Sequence, residues 1–238
     1  MKLSIVIPVF NEYATLEEIF SRVMKVDVGM DRQMILVDDG SKDGTREIYP
    51  KLKDQWPDED IVIHLADRNR GKGAALREGF KHADGDIILI QDADLEYNPE
   101  DYSILLEPIL KDTADVVYGS RFRGGLAHRV DRFWHMVGNK IVTLLSNMFT
   151  DLNLTDMETC YKVFRREVIQ GLEFRCNGFD FEPEFTAKIA RRAKSGKRWR
   201  VYEVGISYAG RSPDEGKKIS WLDGFPALRA IIWYRFFD

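Results

Sequence analysis

The sequence predicts an α/β protein with a mostly parallel sheet and helices on both faces. Three observations carry this. Short apolar runs alternate with segments of helical spacing through the first 120 residues, the pattern of a parallel sheet with crossover helices. The runs are rich in Ile and Val and lack polar alternation, as strands buried on both faces do. Four of them end in polar or acidic residues, and in open α/β sheets ligands bind outside the carboxyl ends of the strands.

The elements follow in order. Leu3 to Phe10 reads as a buried strand, and Thr15 to Lys25 as a helix with Leu16, Ile19, Phe20 and Val23 on one face. Gln33 to Asp38 is a second strand, Thr45 to Leu52 a helix and Asp60 to Leu65 a third strand. Gly73 to Ala83 reads as a helix, Asp86 to Gln91 as a strand, Asp101 to Leu110 as a helix and Ala114 to Tyr118 as a strand. In the second half, Arg129 to Phe149 carries a stripe of Val130, Phe133, Trp134, Val137, Ile141, Leu144, Leu145 and Met148, with Asn139, Lys140, Thr143 and Asn147 off it. That spacing predicts an amphipathic helix. Phe181 to Arg192 reads as a helix, Trp199 to Ser207 as a strand, and the aromatic C-terminal stretch as helical.

Composition narrows the function classes. The chain has 238 residues, 44% hydrophobic and 31% charged, with 35 Lys and Arg against 39 Asp and Glu. This is globular composition, enough for one large domain or two small ones. The mild acidity excludes the basic profile of a nucleic-acid binder. The segment Phe225 to Phe237 is broken by Arg229 and Arg235 and falls short of the ~20 apolar residues of a spanning helix. No signal-peptide cleavage site follows Leu3 to Phe10. Cys160 and Cys176 have neither CxxC spacing nor a disulfide framework, which points to a reduced, cytoplasmic compartment.

The chemistry gathers at the strand ends. Asp92-Ala93-Asp94 follows Ile87-Ile-Leu-Ile90, with Glu96 two residues on. Carboxylates so close repel, and a hard divalent cation with oxygen ligands relieves the repulsion. Mg²⁺ bound this way fills its remaining positions with water and phosphates, which points to a nucleoside diphosphate. Asp38-Asp39 ends the second strand; a carboxylate there suits a ribose hydroxyl or a base N–H, while Ser41 and Asp43 suit capping of the next helix. Asn69-Arg-Gly-Lys72-Gly-Ala-Ala75 is a glycine-rich turn open to two readings, a phosphate contact or a packing turn. His64, His82, His128 and His135 are scattered without metal-ligand spacing, and His64, inside a strand, reads as a core residue. Arg121, Arg123, Arg129 and Arg132 make the region after the fifth strand basic, either as solvated surface or as a clamp for an anionic second substrate.

Taken in order, Ile5-Val-Ile-Pro-Val-Phe-Asn-Glu12, Val37-Asp-Asp-Gly-Ser-Lys-Asp-Gly44, Asn69-Arg-Gly-Lys-Gly73, Gln91-Asp-Ala-Asp94 and Gly119-Ser-Arg-Phe122 resemble the family 2 glycosyltransferases with the GT-A fold. Thr155 to Phe164, Gly178 to Glu184 and Gly210 to Ile219 resemble the dolichyl- and polyprenyl-phosphate hexose synthases, a branch that includes dolichyl-phosphate mannose synthase. The resemblance implies a single GT-A domain over 1–238. Its nucleotide-sugar and metal half would be 1–120, its acceptor half 121–212, and its C-terminal loop and amphipathic helix 213–238. It implies inverting transfer of a hexose from a nucleotide sugar, GDP-mannose or UDP-glucose, to a lipid phosphate, with Mg²⁺ or Mn²⁺.

Carried over by position, the resemblance implies that Pro8, Phe10, Glu12, Val37 and Asp39 hold the nucleoside. It implies that Lys72, Asp92 and Ala93 contact the nucleotide, and that Asp94 and Glu96 bind the metal. Arg121 and Arg129 would grip the acceptor phosphate, and Arg211 with Lys217 or Lys218 would close over the diphosphate. A phosphate acceptor is already an anion and needs little general-base help. Catalysis would then rest on alignment and charge stabilisation by Asp92, Asp94, Arg121, Arg129 and Arg211.

The branch also has spanning members, and this chain resembles the shorter type. Val130 to Phe149 and Trp221 to Phe237 are the available membrane contacts, giving an expectation of a peripheral enzyme at the inner face of a membrane. Packing of the same stripes on the core is the rival reading. Two other functions stay open at this stage: a GT-A glycosyltransferase with a soluble sugar or protein acceptor, and a silent nucleotide-sugar binder at the membrane. Neither the donor sugar nor the oligomeric state is set by the sequence.

Overall fold

Strand β1 (Lys2–Val9) lies inside the sheet, with β2 (Asp31–Asp38) on one side and β4 (Ile87–Ile90) on the other, both parallel to it. Strand β3 (Asp60–Leu65) pairs parallel with β2 and forms one edge. The structure is a computed structural model, and it describes residues 1–124, 129–130, 133–191, 196–211 and 224–237. Its seven-stranded sheet has the order β3-β2-β1-β4-β6-β5-β7, with β5 at Val116–Ser120, β6 at Lys162–Arg165 and β7 at Val201–Gly205.

Helices α1 (Leu16–Lys25), α2 (Ile48–Gln55), α3 (Lys72–His82) and α4 (Tyr102–Leu110) connect the early strands. The segment predicted as a helix from Thr45 begins as one 3₁₀ turn, Thr45–Glu47, before α2. Ile5, Val6, Ile7, Leu36, Ile88, Leu89, Val117 and Phe164 are wholly inaccessible to solvent. Burial of these sheet faces under the helices is the main driving force for folding. Helix α3 packs closely because Gly79 lacks a side chain: a Cβ there would lie 2.3 Å from Val6 Cγ1.

Strand β6 is absent from the sequence reading. Its four residues, Lys-Val-Phe-Arg, are too few to show a period. It runs antiparallel to both β4 and β5 and fills the gap between them. The register Leu89↔Val163, continued beyond the strand ends, sets Cys160 opposite Asp92. The chain that enters β6 is thereby laid along the carboxyl end of β4.

Helix α5 (Phe133–Thr150) departs from the usual rule. The residues it buries most are Thr143 and Ser146, while Phe133, Trp134, Ile141, Leu144 and Met148 face solvent. Val142, Leu145 and Phe149 pack partly on the core. The predicted stripe therefore splits, and most of it points outward. Helices α6 (Phe181–Ala190) and α7 (Gly224–Phe236) pack beside it, α7 burying Ala227, Ala230, Ile231 and Tyr234 and exposing Phe225, Ile232, Trp233 and Phe236.

Gly79→Ala should lower stability by about 1–3 kcal/mol despite the better helix propensity of Ala, because Val6 must move. Chemical denaturation checks this, and an unchanged midpoint would show that α3 can lift off β1 without cost.

Candidate active site

Four carboxylates meet where β1 and β4 end. Glu12 follows β1, and Asp92, Asp94 and Glu96 follow β4. Arg211 ties the edge together. Its backbone N–H donates to Glu96 Oε1 (2.7 Å), its Nη2 to Glu12 Oε2 (3.0 Å), and its Nε and Nη2 to the Asp94 carbonyl (2.8 and 2.6 Å). The Tyr208 hydroxyl donates to Glu96 Oε2 at 2.7 Å. Among the described residues no cation bonds the Asp94 carboxylate, and its Oδ1 accepts the Glu96 N–H at 3.1 Å. Burial, then the charges of Asp92 and Glu96, push its pKa up to about 7. The site therefore holds a carboxyl that ionises at a cost until a cation arrives.

Asp92 is already paired. Lys72 Nζ lies 2.8 Å from its Oδ1 and 3.0 Å from Cys160 Sγ. Burial opposes the charge on Lys72, but Asp92, Cys160 and Glu182 outweigh it and raise its pKa well above the usual range. Beneath this pair, Glu182 at the start of α6 meets Lys162, a lysine with no exposed surface. Lys162 also donates to the carbonyls of Met157 (3.3 Å) and Thr159. Such a buried pair is costly to break, because removing one partner strands the other charge. Glu158 lies nearby with Oε1 buried and unbonded. Burial, then the charge of Glu182, push its pKa up to about 8, so it carries a proton at neutral pH.

Arg121 follows β5 and is buried. Its Nε and Nη2 clamp Asp156 through two 2.7 Å hydrogen bonds, and its guanidinium lies 5.2 Å from the Tyr208 ring centroid. Asp156 is held by its own N–H on Glu203 of β7 (3.1 Å). The rest of its guanidinium faces the Tyr208 side chain, whose ionisation its charge favours. Arg129 sits exposed at the rim, where its N–H donates to the Tyr208 carbonyl (2.8 Å) and its Nη1 to that of Gly210 (3.0 Å). Tyr208 and its neighbours thus join the two arginines to the acidic edge.

The residues expected to hold a nucleoside divide. Pro8 and Phe10 are half-buried at the end of β1, and Ala93 is buried beside Asp92. Val37 is buried in β2, with its side chain beside Gly79 of α3. Asp39 accepts the N–H groups of Arg70 (2.8 Å) and Gly71 (2.7 Å). It clamps the glycine-rich loop to the sheet edge, and burial still pushes its pKa up. The loop comes so close that a Cβ on Gly40, at φ +79°, would lie 2.5 Å from the Arg68 backbone. Lys217 and Lys218 lie outside the described residues, as do His128, Arg132 and Trp221.

Two readings of the histidines need correction. His64 is part-exposed on an edge strand rather than in the core. It also meets His82: both approach Glu78, at 3.9 and 3.4 Å, within a cluster whose ligand atoms span at most 4.8 Å. Strand β3 and helix α3 supply these residues from distant sequence positions, which hides any spacing. Lys81 already neutralises Glu78 at 2.6 Å.

Asp156, Glu158, Cys160 and Lys162 have no assigned role in the sequence reading. Their two-residue spacing is visible, but the segment turns at Met157 and Glu158 and only Lys162 lies in β6, so the spacing alone does not place them. Glu182 carries no comparable mark.

Residues 4–172 match glycosyl transferase family 2. The chain belongs to that family. As a family 2 glycosyltransferase it is 30% identical to the dolichol-phosphate mannosyltransferase of Pyrococcus furiosus over 91% of this chain and 59% of the relative. It is 33% identical to the undecaprenyl-phosphate 4-deoxy-4-formamido-L-arabinose transferase of Salmonella paratyphi B over 81% of this chain and 57% of the relative. The chain thus spans less than two thirds of these curated relatives. The fold matches glucosyl-3-phosphoglycerate synthase of Mycobacterium tuberculosis, solved with Mn²⁺ and UDP, with a TM-score of 0.73 and 20% identity over all of this chain and 79% of that one. The glycosyltransferase fold is GT-A, a mostly parallel sheet with one antiparallel strand among the described residues.

The donor set fits a hard divalent cation. Asp94 offers a carboxylate whose ionisation such a charge would favour. Glu96 accepts one hydrogen bond on each oxygen, which leaves lone pairs for a metal.

The raised pKa of Asp94 makes a stability prediction. Its folded value, about 7, exceeds the unfolded value of ~3.9, so the metal-free fold loses stability as pH rises from 4 through 7. Asp94→Asn should therefore match the wild type at pH 4 and exceed it by about 4 kcal/mol at pH 8. Mn²⁺ should raise the wild-type melting temperature and leave that of the variant unchanged. Thermal denaturation with and without the metal reads both effects.

Proposed function

We propose that the protein transfers a hexose, with inversion, from a nucleotide sugar to a polyprenyl or dolichyl phosphate. One observation carries the reading: an acidic edge suited to a metal-bound diphosphate faces a buried arginine suited to a phosphate, and Tyr208 touches both. The named relatives support a polyprenyl-type phosphate acceptor, and one of them, a mannosyltransferase, supports a hexose.

In this reading Asp94 and Glu96 hold Mg²⁺ or Mn²⁺, which supplies charge neutralisation for the diphosphate when bound. Asp39 orders the loop beside the nucleoside, with Pro8, Phe10, Glu12, Val37 and Ala93 forming the rest of that pocket. Lys72 keeps Asp92 ionised and oriented. Arg121, fixed by Asp156, supplies positive charge for the acceptor phosphate, with Arg129 at the entrance. A phosphate oxygen of the acceptor then bonds to the anomeric carbon as the bond from that carbon to the diphosphate oxygen breaks. The nucleoside diphosphate leaves with the bonding pair, and Arg211 with Lys217 or Lys218 stabilises its charge. No proton need leave the acceptor, since a phosphate monoester is anionic near neutral pH.

The outward apolar faces of α5 and α7 suit an amphipathic contact with a bilayer. No helix among the described residues is long and apolar enough to cross one. We therefore place the protein as a peripheral enzyme on the cytoplasmic face of a membrane, with residues 1–238 acting as one GT-A unit.

The test is a nucleotide-sugar assay with GDP-mannose and UDP-glucose, each with and without a short polyprenyl phosphate. Product should require the lipid phosphate and a divalent metal. Asp94→Ala should cut turnover by about a hundredfold or more while the fold remains. Transfer to a soluble acceptor with none to the lipid would overturn the reading.

A further inference from the structure

A cavity of about 240 Å³ opens between α5, α6 and α7. None of the carboxylates of the acidic edge lines it, and neither does Arg121 or Arg129. Three arginines do: Arg191 after α6, Arg198 before β7, and Arg235 near the end of α7. Arg191 is anchored, since its Nη2 donates to the Tyr234 carbonyl. Arg198 and Arg235 are exposed and have no carboxylate partner among the described residues. Among the described residues no Asp or Glu lines the cavity, although the chain as a whole carries a formal charge of −4. This is a local concentration of positive charge, and guanidinium groups match phosphate oxygens in pairs.

Ser146 lines the cavity but is only 1% exposed, and its Oγ, without a hydrogen-bond partner among the described residues, is not accessible from it. The polar groups that face the opening are therefore the arginines. The remaining lining includes Phe149, Ala187 and Ile231. Beside it lie the outward apolar residues Leu144 and Met148 of α5 and Trp233 and Phe236 of α7. The volume is below the ~300 Å³ of a typical small-molecule pocket. It suits a phosphate with a few attached atoms whose apolar remainder lies outside.

We propose that this cavity is a second lipid site, which takes the phosphate of an anionic phospholipid while its chains lie against α5 and α7. It is separate from the acceptor site at Arg121, and it deepens the membrane reading given above, on which it rests. The phospholipid is not consumed; it docks and orients the enzyme. Charge complementarity selects it over a neutral lipid, and salt should weaken it.

Flotation with vesicles tests this. The wild-type protein should bind phosphatidylglycerol-containing vesicles more tightly than phosphatidylcholine alone. The double variant Arg198→Gln, Arg235→Gln should lose about tenfold or more of that affinity. Melting curves show that the variant is folded. Arg121→Gln should bind these vesicles like the wild type. Equal binding by the double variant would overturn the proposal. Displacement by millimolar inorganic phosphate with no preference for anionic vesicles would also overturn it, in favour of a soluble anion. Turnover of a short polyprenyl phosphate in solution, measured on the same proteins, separates the two readings. If the double variant turns over normally but fails on vesicles, both stand. If wild-type protein turns over nothing yet floats with anionic vesicles, only the catalytic reading falls.

Discussion

The arrangement of this molecule depends on the placement of negative charge at one sheet edge. Glu12, Asp92, Asp94 and Glu96 come from two neighbouring strands whose carboxyl ends point the same way. Each cation nearby answers part of that charge. Lys72 takes Asp92, and Arg211 bridges Glu12, the Asp94 carbonyl and Glu96. The Asp94 carboxylate is the one left over, and its raised pKa records the imbalance. The bonding of Tyr208, Arg129 and the 208–211 segment then follows from where Arg211 must sit.

The second half of the site is built by a relay of carboxylates. Glu203 on β7 holds the Thr155 and Asp156 N–H groups, Asp156 clamps Arg121, and Arg121 lies over Tyr208. A rigid arginine is better suited to a phosphate than a free one, because its side-chain entropy is already lost. Lys162 and Glu182 serve the donor side in the same way, below Lys72.

Much of this was legible in the sequence because the first five strands and their helices are local events. Leu3 to Phe10 and Asp60 to Leu65 announce themselves by apolar content, and Asp92 and Asp94 by position after Ile87 to Ile90. What stayed hidden depends on contacts between distant segments. Strand β6 is too short to show periodicity, so the carboxyl of Glu158 could not be placed beside Glu182 and Lys162, nor the thiol of Cys160 beside Asp92. Asp39 reads as a ligand for a nucleoside from its strand end alone, and its hold on the loop at Arg70 and Gly71 is a further contact that depends on a segment 31 residues away. The α5 stripe gives the right helix, but periodicity alone does not say which face meets the core, and here Thr143 and Ser146 turn inward.

The antiparallel strand also bears on how the chain reaches this state. Strands β4 and β5 are not neighbours; their hydrogen-bonding edges wait for β6, which begins 42 residues after β5 ends, at Lys162 against Ser120. Until it inserts, the sheet is two separate pieces, each with an unpaired edge. Closing such a long loop makes late, non-local pairing slow. The same insertion brings Cys160 beside Lys72 and Asp156 beneath Arg121. Completion of the sheet and assembly of the candidate site therefore depend on the same insertion, and a chain lacking it would lack these contacts.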